Sequence, residues 1–313
     1  MFVPFLTKKK QLSRRRGGGK SGGGGGESGG GGGESGGGGE KGSGSTGSGE
    51  SGSTGAPRSS PVTTSGSSKQ ATSYGVGGGA VVTIPSGQLF TGRMEGGATR
   101  AQVFGTRTFG SGYPGISGRG VANRGFPFYF WPLSFGVGTG TGLYLRSDDE
   151  YGHADNSSRP GGAMTSASFQ SNSTNSTVFR VLADNTTTES LINDIFANCS
   201  GSLASSAAAT VPIAYNDNAT DPPQPEQIVQ YYRASSVALS LDGYNNTAIF
   251  QADGTPDIPL PSGIDTTLLD CLNQTIGLAT PLIGGAGSQW VAIPNNMSLL
   301  FLVLLGWFSA AFM

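Results

Sequence analysis

The chain has 313 residues, 55 of them glycine, only 12% charged residues and a formal net charge of −1. Glycine at that level without a G-X-Y period marks low complexity rather than collagen, and a charge near zero gives no polyanion-binding field over the whole molecule. Two cysteines and one histidine exclude a disulfide scaffold and a cysteine-only zinc site, and any histidine-dependent site must be built on His153.

Residues 1–16 carry Lys8 to Lys10 and Arg14 to Arg16 behind a short apolar start. The order is wrong for a secretory leader, which needs a charged start and a longer apolar run. We read the segment as a solvated basic tail, a mistaken start or a spliced exon. Residues 17–75 are expected to be a disordered tether. From 17 to 55 they use Gly, Ser, Thr, Glu and Lys alone, in the repeat Ser21–Glu27, Ser28–Glu34 and Ser35–Glu40, so no apolar surface offsets the entropy of ordering. From 56 to 75 the tether grades into structure. Gly26-Glu27-Ser28-Gly29-Gly30 fits a nucleophile elbow only literally, since that motif needs a strand-to-helix turn.

Residues 76–146 form a Gly/aromatic-rich region with expected short strands at Val81–Ile84, Gln88–Phe90 and Ala101–Phe104. Gly110-Ser-Gly-Tyr-Pro-Gly115 matches a dinucleotide fingerprint, but Pro114 and the glycines beyond it preclude the helix that would hold phosphate. Phe126 to Phe135 is the densest apolar run; its two prolines exclude an internal helix, and core packing is its expected use. Arg93, Arg100, Arg107, Arg119 and Arg124 recur here, a pattern that also serves single-stranded nucleic acid. Solubilising an otherwise apolar region is the reading adopted. Residues 147–162 make an acidic loop. Its Asp148, Asp149, Glu150, His153 and Asp155 offer ligand atoms for a divalent cation, but their spacing fits no defined metal loop, so no metal or cofactor is assigned.

Residues 163–283 read as an α+β domain, a small antiparallel sheet with helices on one face. Strands are expected at Thr165–Gln170 and Thr177–Ala183, then a helix opened by the capping box Thr186-x-x-Glu189, with Leu191, Ile192, Ile195, Phe196 and Cys199 on its apolar face. Pro225 starts a short helix to Tyr232. Val237–Leu241 turns at Asp242-Gly243 into a return strand Asn246–Gln251. Asp265 caps a second helix with Leu268, Leu269, Leu272 and Ile276 on its face. The two halves share an order of hairpin, helix and cysteine, which suggests two ββα units in one sheet.

Of thirteen asparagines between Asn156 and Asn296, nine open an N-x-[ST] sequon: Asn156, Asn172, Asn175, Asn185, Asn198, Asn218, Asn245, Asn273 and Asn296. Chance gives about three. The excess favours the secretory pathway, where Cys199 and Cys271 would pair. Residues 284–313 resemble a glycosylphosphatidylinositol (GPI) signal. Gly284, Gly285, Ala286, Gly287 and Ser288 supply small attachment residues, a polar spacer follows, and Leu299–Met313 is an apolar tail shorter than the ~20 residues of a spanning helix. A tail-anchored helix with a cytosolic body is the alternative.

Four segments carry a resemblance: Gly112-Tyr-Pro-Gly-x3-Arg119-Gly-Val, Gly125-Phe-Pro-Phe-Tyr-Phe-Trp-Pro, Glu150-Tyr-Gly-x2-Asp155-Asn-Ser-Ser-Arg-Pro-Gly-Gly, and Tyr231-Tyr-Arg-Ala-Ser-Ser-Val-Ala-Leu-x-Leu-Asp-Gly-Tyr-Asn-Asn-Thr-Ala. Across roughly residues 70–285 the chain resembles an uncharacterised family of glycine-rich surface proteins of mushroom-forming fungi. The resemblance implies a surface location and, having no assigned activity, brings no functional residue with it. The expected function is a non-enzymatic, surface-tethered glycoprotein of structural or adhesive role, on the extracellular face of the plasma membrane or in the cell wall. Its partners would be the membrane and cell-wall carbohydrate or another surface protein. The alternatives are an Arg/Gly-rich RNA-binding protein with a hydrophobic tail and an extracellular hydrolase using carboxylates.

Overall fold

The computed structural model describes residues 57–64, 67–136, 143–145, 152–174, 176–205, 210–217 and 223–284. The tether through residue 56, Asp148–Glu150, Asn175, Asn218 and everything after Gly284 lie outside the described residues.

Two strands near the N-terminus correct the expected end of the tether. β1 (Ser59–Thr64) and β2 (Ser67–Thr72) form an antiparallel hairpin with Val62 opposite Lys69. Alternation places Val62 and Ala71 on one face, where they join Tyr129, Phe130 and Ile283 in a small core. That face is why a Ser/Thr-rich stretch is ordered. Lys69 shares it, with Nζ 3.4 Å from the Tyr129 ring centroid and 3.7 Å from the buried Glu95 carboxylate.

The Gly/aromatic region is mostly turns. Among its described residues β3 (Val82–Thr83) pairs with β4 (Met94–Glu95) and isolated bridges join Gly77 to Thr99 and Glu95 to Phe126, while Gln88–Phe90 is a turn, Arg100–Gln102 a 3-10 turn, and Phe104 makes a single bridge to Tyr232. The expected strands are cut short because glycines bend the backbone where aromatic rings fill the space. Gly96 and Gly97 take φ of 95° and 94°, and a Cβ on Gly96 would stand 2.6 Å from the Tyr129 ring. The aromatic run does pack inward: Phe126, Phe128, Tyr129, Phe130, Leu133 and Phe135 are all buried. Phe109 meets Tyr231 edge-on at 5.7 Å, so this region shares one core with the residues after 163.

Those later residues build the main sheet. β5 (Met164–Gln170) and β6 (Val178–Asp184) form the expected hairpin, Met164 opposite Asp184. α1 (Asn185–Cys199) follows with no loop. Its cap is Asp184, whose carboxylate accepts from the Thr187 amide at 2.9 Å, and not the expected Thr186–Glu189 box. The strand runs straight into the helix, so Thr186 already lies inside it, and Glu189 accepts from Asn185 Nδ2 instead.

An edge strand β7 (Ile213–Ala214) pairs with β5. Pro225–Gln227 is only a 3-10 turn, and β8 (Ile228–Tyr232) replaces the expected helix, as its β-branched and aromatic residues favour. β9 (Val237–Leu241) pairs with β8, and Thr247–Phe250 is a 3-10 turn rather than a return strand. The hairpin therefore precedes Asp242-Gly243. α2 (Thr266–Ala279) is capped by Asp265 and buries Leu268, Leu272 and Ile276 as expected. β10 (Leu282–Ile283) closes the chain's path by pairing with β2.

The main sheet has the order β7-β5-β6-β9-β8, with Phe179 opposite Leu241 at its centre. Corresponding second strands, β6 and β9, pair antiparallel, as a local two-fold along the sheet normal requires. Two ββα units thus share one sheet, and α1 packs on α2, where Cys199 and Cys271 form a disulfide with Cα atoms 5.9 Å apart.

Asp265 carries a pH prediction. Burial opposes its charge, but hydrogen bonds from Ser171 Oγ (2.6 Å), the Leu268 amide (2.9 Å) and Ser173 Oγ (2.8 Å) outweigh it and hold the carboxyl below its ordinary value. A depressed folded pKa gives stability that is present above the unfolded pKa, about 4, and lost as pH falls through the folded one. Asp265→Asn is expected to flatten the stability–pH curve below about pH 4. Curves of equal slope there in urea titrations would rule this out.

Candidate functional site

A buried ion pair organises the region where α1, the β8–β9 turn and the N-terminal hairpin meet. The turn Arg233–Ser236 has three successive residues at left-handed φ: Arg233 (48°), Ala234 (48°) and Ser235 (60°). None is glycine, so each costs on the order of 1 kcal/mol. The Arg233 side chain holds the turn in place. It is completely buried, with Nη2 donating to Asp184 at 2.7 Å, Nη1 to Pro281 O at 2.8 Å and Thr187 Oγ1 at 3.2 Å, and Nε to Ser236 Oγ at 2.6 Å. Its guanidinium lies 3.4 Å above the Phe130 ring. Burial lowers Arg233 to about 10, against the pull of Asp184, so it stays charged at neutral pH.

Arg159 is buried nearby, donating to the carbonyls of Trp131, Pro132 and Gly152, and burial lowers it too to about 10. Gly161 has to be glycine, because a Cβ there would stand 1.9 Å from Asp184 Oδ1 at φ 89°. Each arginine singled out from the sequence is similarly engaged. Arg100 donates to Gly277 O (3.1 Å) and Thr280 O (2.6 Å) at the end of α2, Arg119 to Ala248 O (3.0 Å) and Ile249 O (2.9 Å), and Arg107 to Ile258 O (3.2 Å). Arg93 donates to Arg124 O at 2.7 Å over the Phe126 ring, and Arg124 to Ser117 O at 3.2 Å. Guanidinium forks thus bind loop carbonyls that no strand satisfies.

The N-terminal hairpin is fastened to α1 by a second cluster. Arg58 pairs with Asp194, Tyr74 Oη donates to the same carboxylate at 2.8 Å, and Ser73 and Ser190 hydroxyls lie 2.8 Å apart. Burial raises Asp194, opposed by Tyr74 and Arg58; burial and then Asp194 push Tyr74 up to about 12. Two clefts flank this attachment. The smaller, about 180 Å³, runs between Arg58, Ser60 and Ser73 on one side and Glu189, Ser190 and Asn193 on the other. The larger, about 490 Å³, lies between Pro61–Thr63 and residues 157–165, with Asn185 on its rim. Among the described residues Glu189 is the one acid lining either cleft.

His153 and Asp155 are exposed, and no group of three or more metal-ligating side chains occurs among the described residues. Six predicted glycosylation sites are described, and none is buried: Asn172, Asn198 and Asn245 are exposed, while Asn156, Asn185 and Asn273 are half-buried. Asn246, which opens no sequon, is fully buried and bonded to Asp257 and the Ile258 amide. Gly284 is exposed beside Gly78, and Gly285–Ser288 lie outside the described residues. Among the described residues no helix is long and apolar enough to cross a membrane.

Sequence reasoning missed the residues that hold this region together: Asp184, Arg159 and Arg233. The one available signal was a lone arginine inside the otherwise uncharged run Ile228–Leu241. Compared with known proteins, the chain matches no family model, no curated protein and no solved structure.

Proposed function

We propose that the protein is a surface glycoprotein of structural or adhesive role, held at the membrane through its C-terminal tail and performing no chemistry of its own. The observation that carries this reading is the Cys199–Cys271 disulfide between α1 and α2, a bond that persists in oxidising compartments and is rare in the cytosol. The sequon asparagines add to it, since those described all reach solvent while the buried Asn246 opens no sequon. The RNA-binding alternative loses support because the arginines that suggested it are engaged with backbone carbonyls. The resemblance to fungal surface proteins points the same way as the disulfide.

The test is expression in a secretory host. The protein is expected to fall in apparent mass on peptide-N-glycosidase treatment. Phosphatidylinositol-specific phospholipase should release it from membranes without Trp290 or Met313. An unshifted protein with free thiols would overturn the surface reading. Glycosylated protein that keeps Met313 after membrane extraction would overturn the lipid anchor alone.

A further inference from the structure

Phe104 stands out among the aromatic side chains. It is 48% exposed, whereas every other aromatic ring among the described residues is buried or half-buried. The ring is nonetheless held in one place. Its backbone bridges to Tyr232 of β8, its centroid lies 5.8 Å from that of the Tyr232 ring, and it covers Gly277 of α2, where a Cβ would run into it. A ring fixed this way and left uncovered offers an apolar binding face with little further loss of side-chain entropy.

α2 carries a sequon at the same place. Asn273, of Asn273-Gln274-Thr275, lies one helical turn before Gly277 and on the same face of α2. The hydroxyl of the fully buried Tyr232 donates to Asn273 Oδ1 at 2.7 Å. The ring that packs on Phe104 therefore also orients the acceptor amide. With Oδ1 so engaged, Asn273 Nδ2 bonds no described residue and keeps access to solvent. Asn172, Asn185 and Asn198 differ, since their Nδ2 atoms donate to Gly201 O at 2.7 Å, Glu189 Oε1 at 2.9 Å and Asp194 O at 2.8 Å.

We propose that Asn273 carries an N-glycan whose first N-acetylhexosamine lies on the open face of Phe104. This rests on the glycoprotein reading above. A pyranose presents C–H groups of slight positive charge on its face, which suits the negative face of an aromatic ring, and the contact removes apolar area of both from water. The donor is a lipid-linked oligosaccharide diphosphate. The Nδ2–C1 bond forms as the C1–O bond to phosphate breaks, the diphosphate leaves with the electron pair, and the amide nitrogen gives up one proton. Tyr232 keeps its bond to Oδ1, because attachment uses the nitrogen alone. The seated sugar covers the ring and ties the Gly/aromatic region to α2.

The experiment reads the sugar itself. Full-length protein from a secretory host that adds high-mannose glycans is trimmed by endoglycosidase, under native conditions, to one isotope-labelled N-acetylglucosamine at each occupied asparagine. An aromatic face shifts protons lying over it upfield. The sugar C–H resonances at Asn273 are expected upfield of those at exposed sequons such as Asn245, with nuclear Overhauser contacts to phenylalanine ring protons. Phe104→Leu keeps an apolar side chain over Gly277 and is expected to abolish both the shift and the contacts without moving the resonances at Asn245. Equal shifts at Asn273 and the exposed sequons of the unsubstituted protein, a shift that survives Phe104→Leu, or an Asn273 left unmodified while another sequon is occupied would each overturn the platform and leave the surface reading intact. Absence of sugar at every sequon would overturn the surface reading itself.

Discussion

Asp184→Ala is expected to destabilise the protein by about 3–5 kcal/mol, the cost of stranding one partner of a buried ion pair. The substitution leaves the Arg233 guanidinium, fully buried, without its anion, and it uncaps α1 at the Thr187 amide. For a domain of this size that lowers the midpoint of thermal unfolding by roughly 10 °C. Arg233→Met should cost a similar amount by stranding Asp184 and releasing the left-handed turn. Because both variants disrupt one contact, the double variant is expected to lose less than the sum of the two. Urea unfolding of the three variants measures this directly. A single-variant loss below about 1 kcal/mol, or strict additivity, would contradict the role assigned to the pair.

Breaking the Cys199–Cys271 bond, by reduction or by Cys199→Ser with Cys271→Ser, is expected to cost about 4 kcal/mol in the chain-entropy model. The bond closes a 72-residue separation and ties α1 to α2, so it links the two ββα units on their helical face. The units remain joined through β6 and β9 without it, so the fold should persist with a lower denaturation midpoint. Alkylation of denatured, unreduced protein followed by intact-mass measurement checks the premise. No adducts are expected before reduction and one on each cysteine after it; adducts on unreduced protein would refute the bond.

Much of the α+β half was legible because its signals are local. β5, β6 and both helices announce themselves through alternation, 3.6-residue periodicity and Asp265, and the pairing of Cys199 with Cys271 follows from the repeated order of elements. The β8–β9 hairpin was not legible. Asp242-Gly243 has the preferred turn chemistry, whereas the true turn, Arg233–Ser236, has none and is held by a side chain bonded to Asp184, which lies far away in sequence. The hairpin at Ser59–Thr72 was hidden for the opposite reason, since its apolar face has few residues and gains its value only against Tyr129 and Ile283. Sequon positions could be read directly from the residues. The cleft could not, because Pro61–Thr63 and Gly161–Thr165 meet only in the folded chain.

The pairing of β2 with both β1 and β10 has a mechanical consequence. Ser59 and Leu282 both lie opposite Thr72, one on each side of it, so they stand about two strand spacings, ~10 Å, apart. Everything between them is slack taken up by folding, in a protein drawn at both points. If the sheet gave way under tension, the coiled-up chain would pay out roughly 500 Å, and the disulfide would hold back the stretch between Cys199 and Cys271 as a second reserve. Drawn from its two ends, a fold wound this way would stay short until the sheet between β1 and β10 parted and lengthen only then.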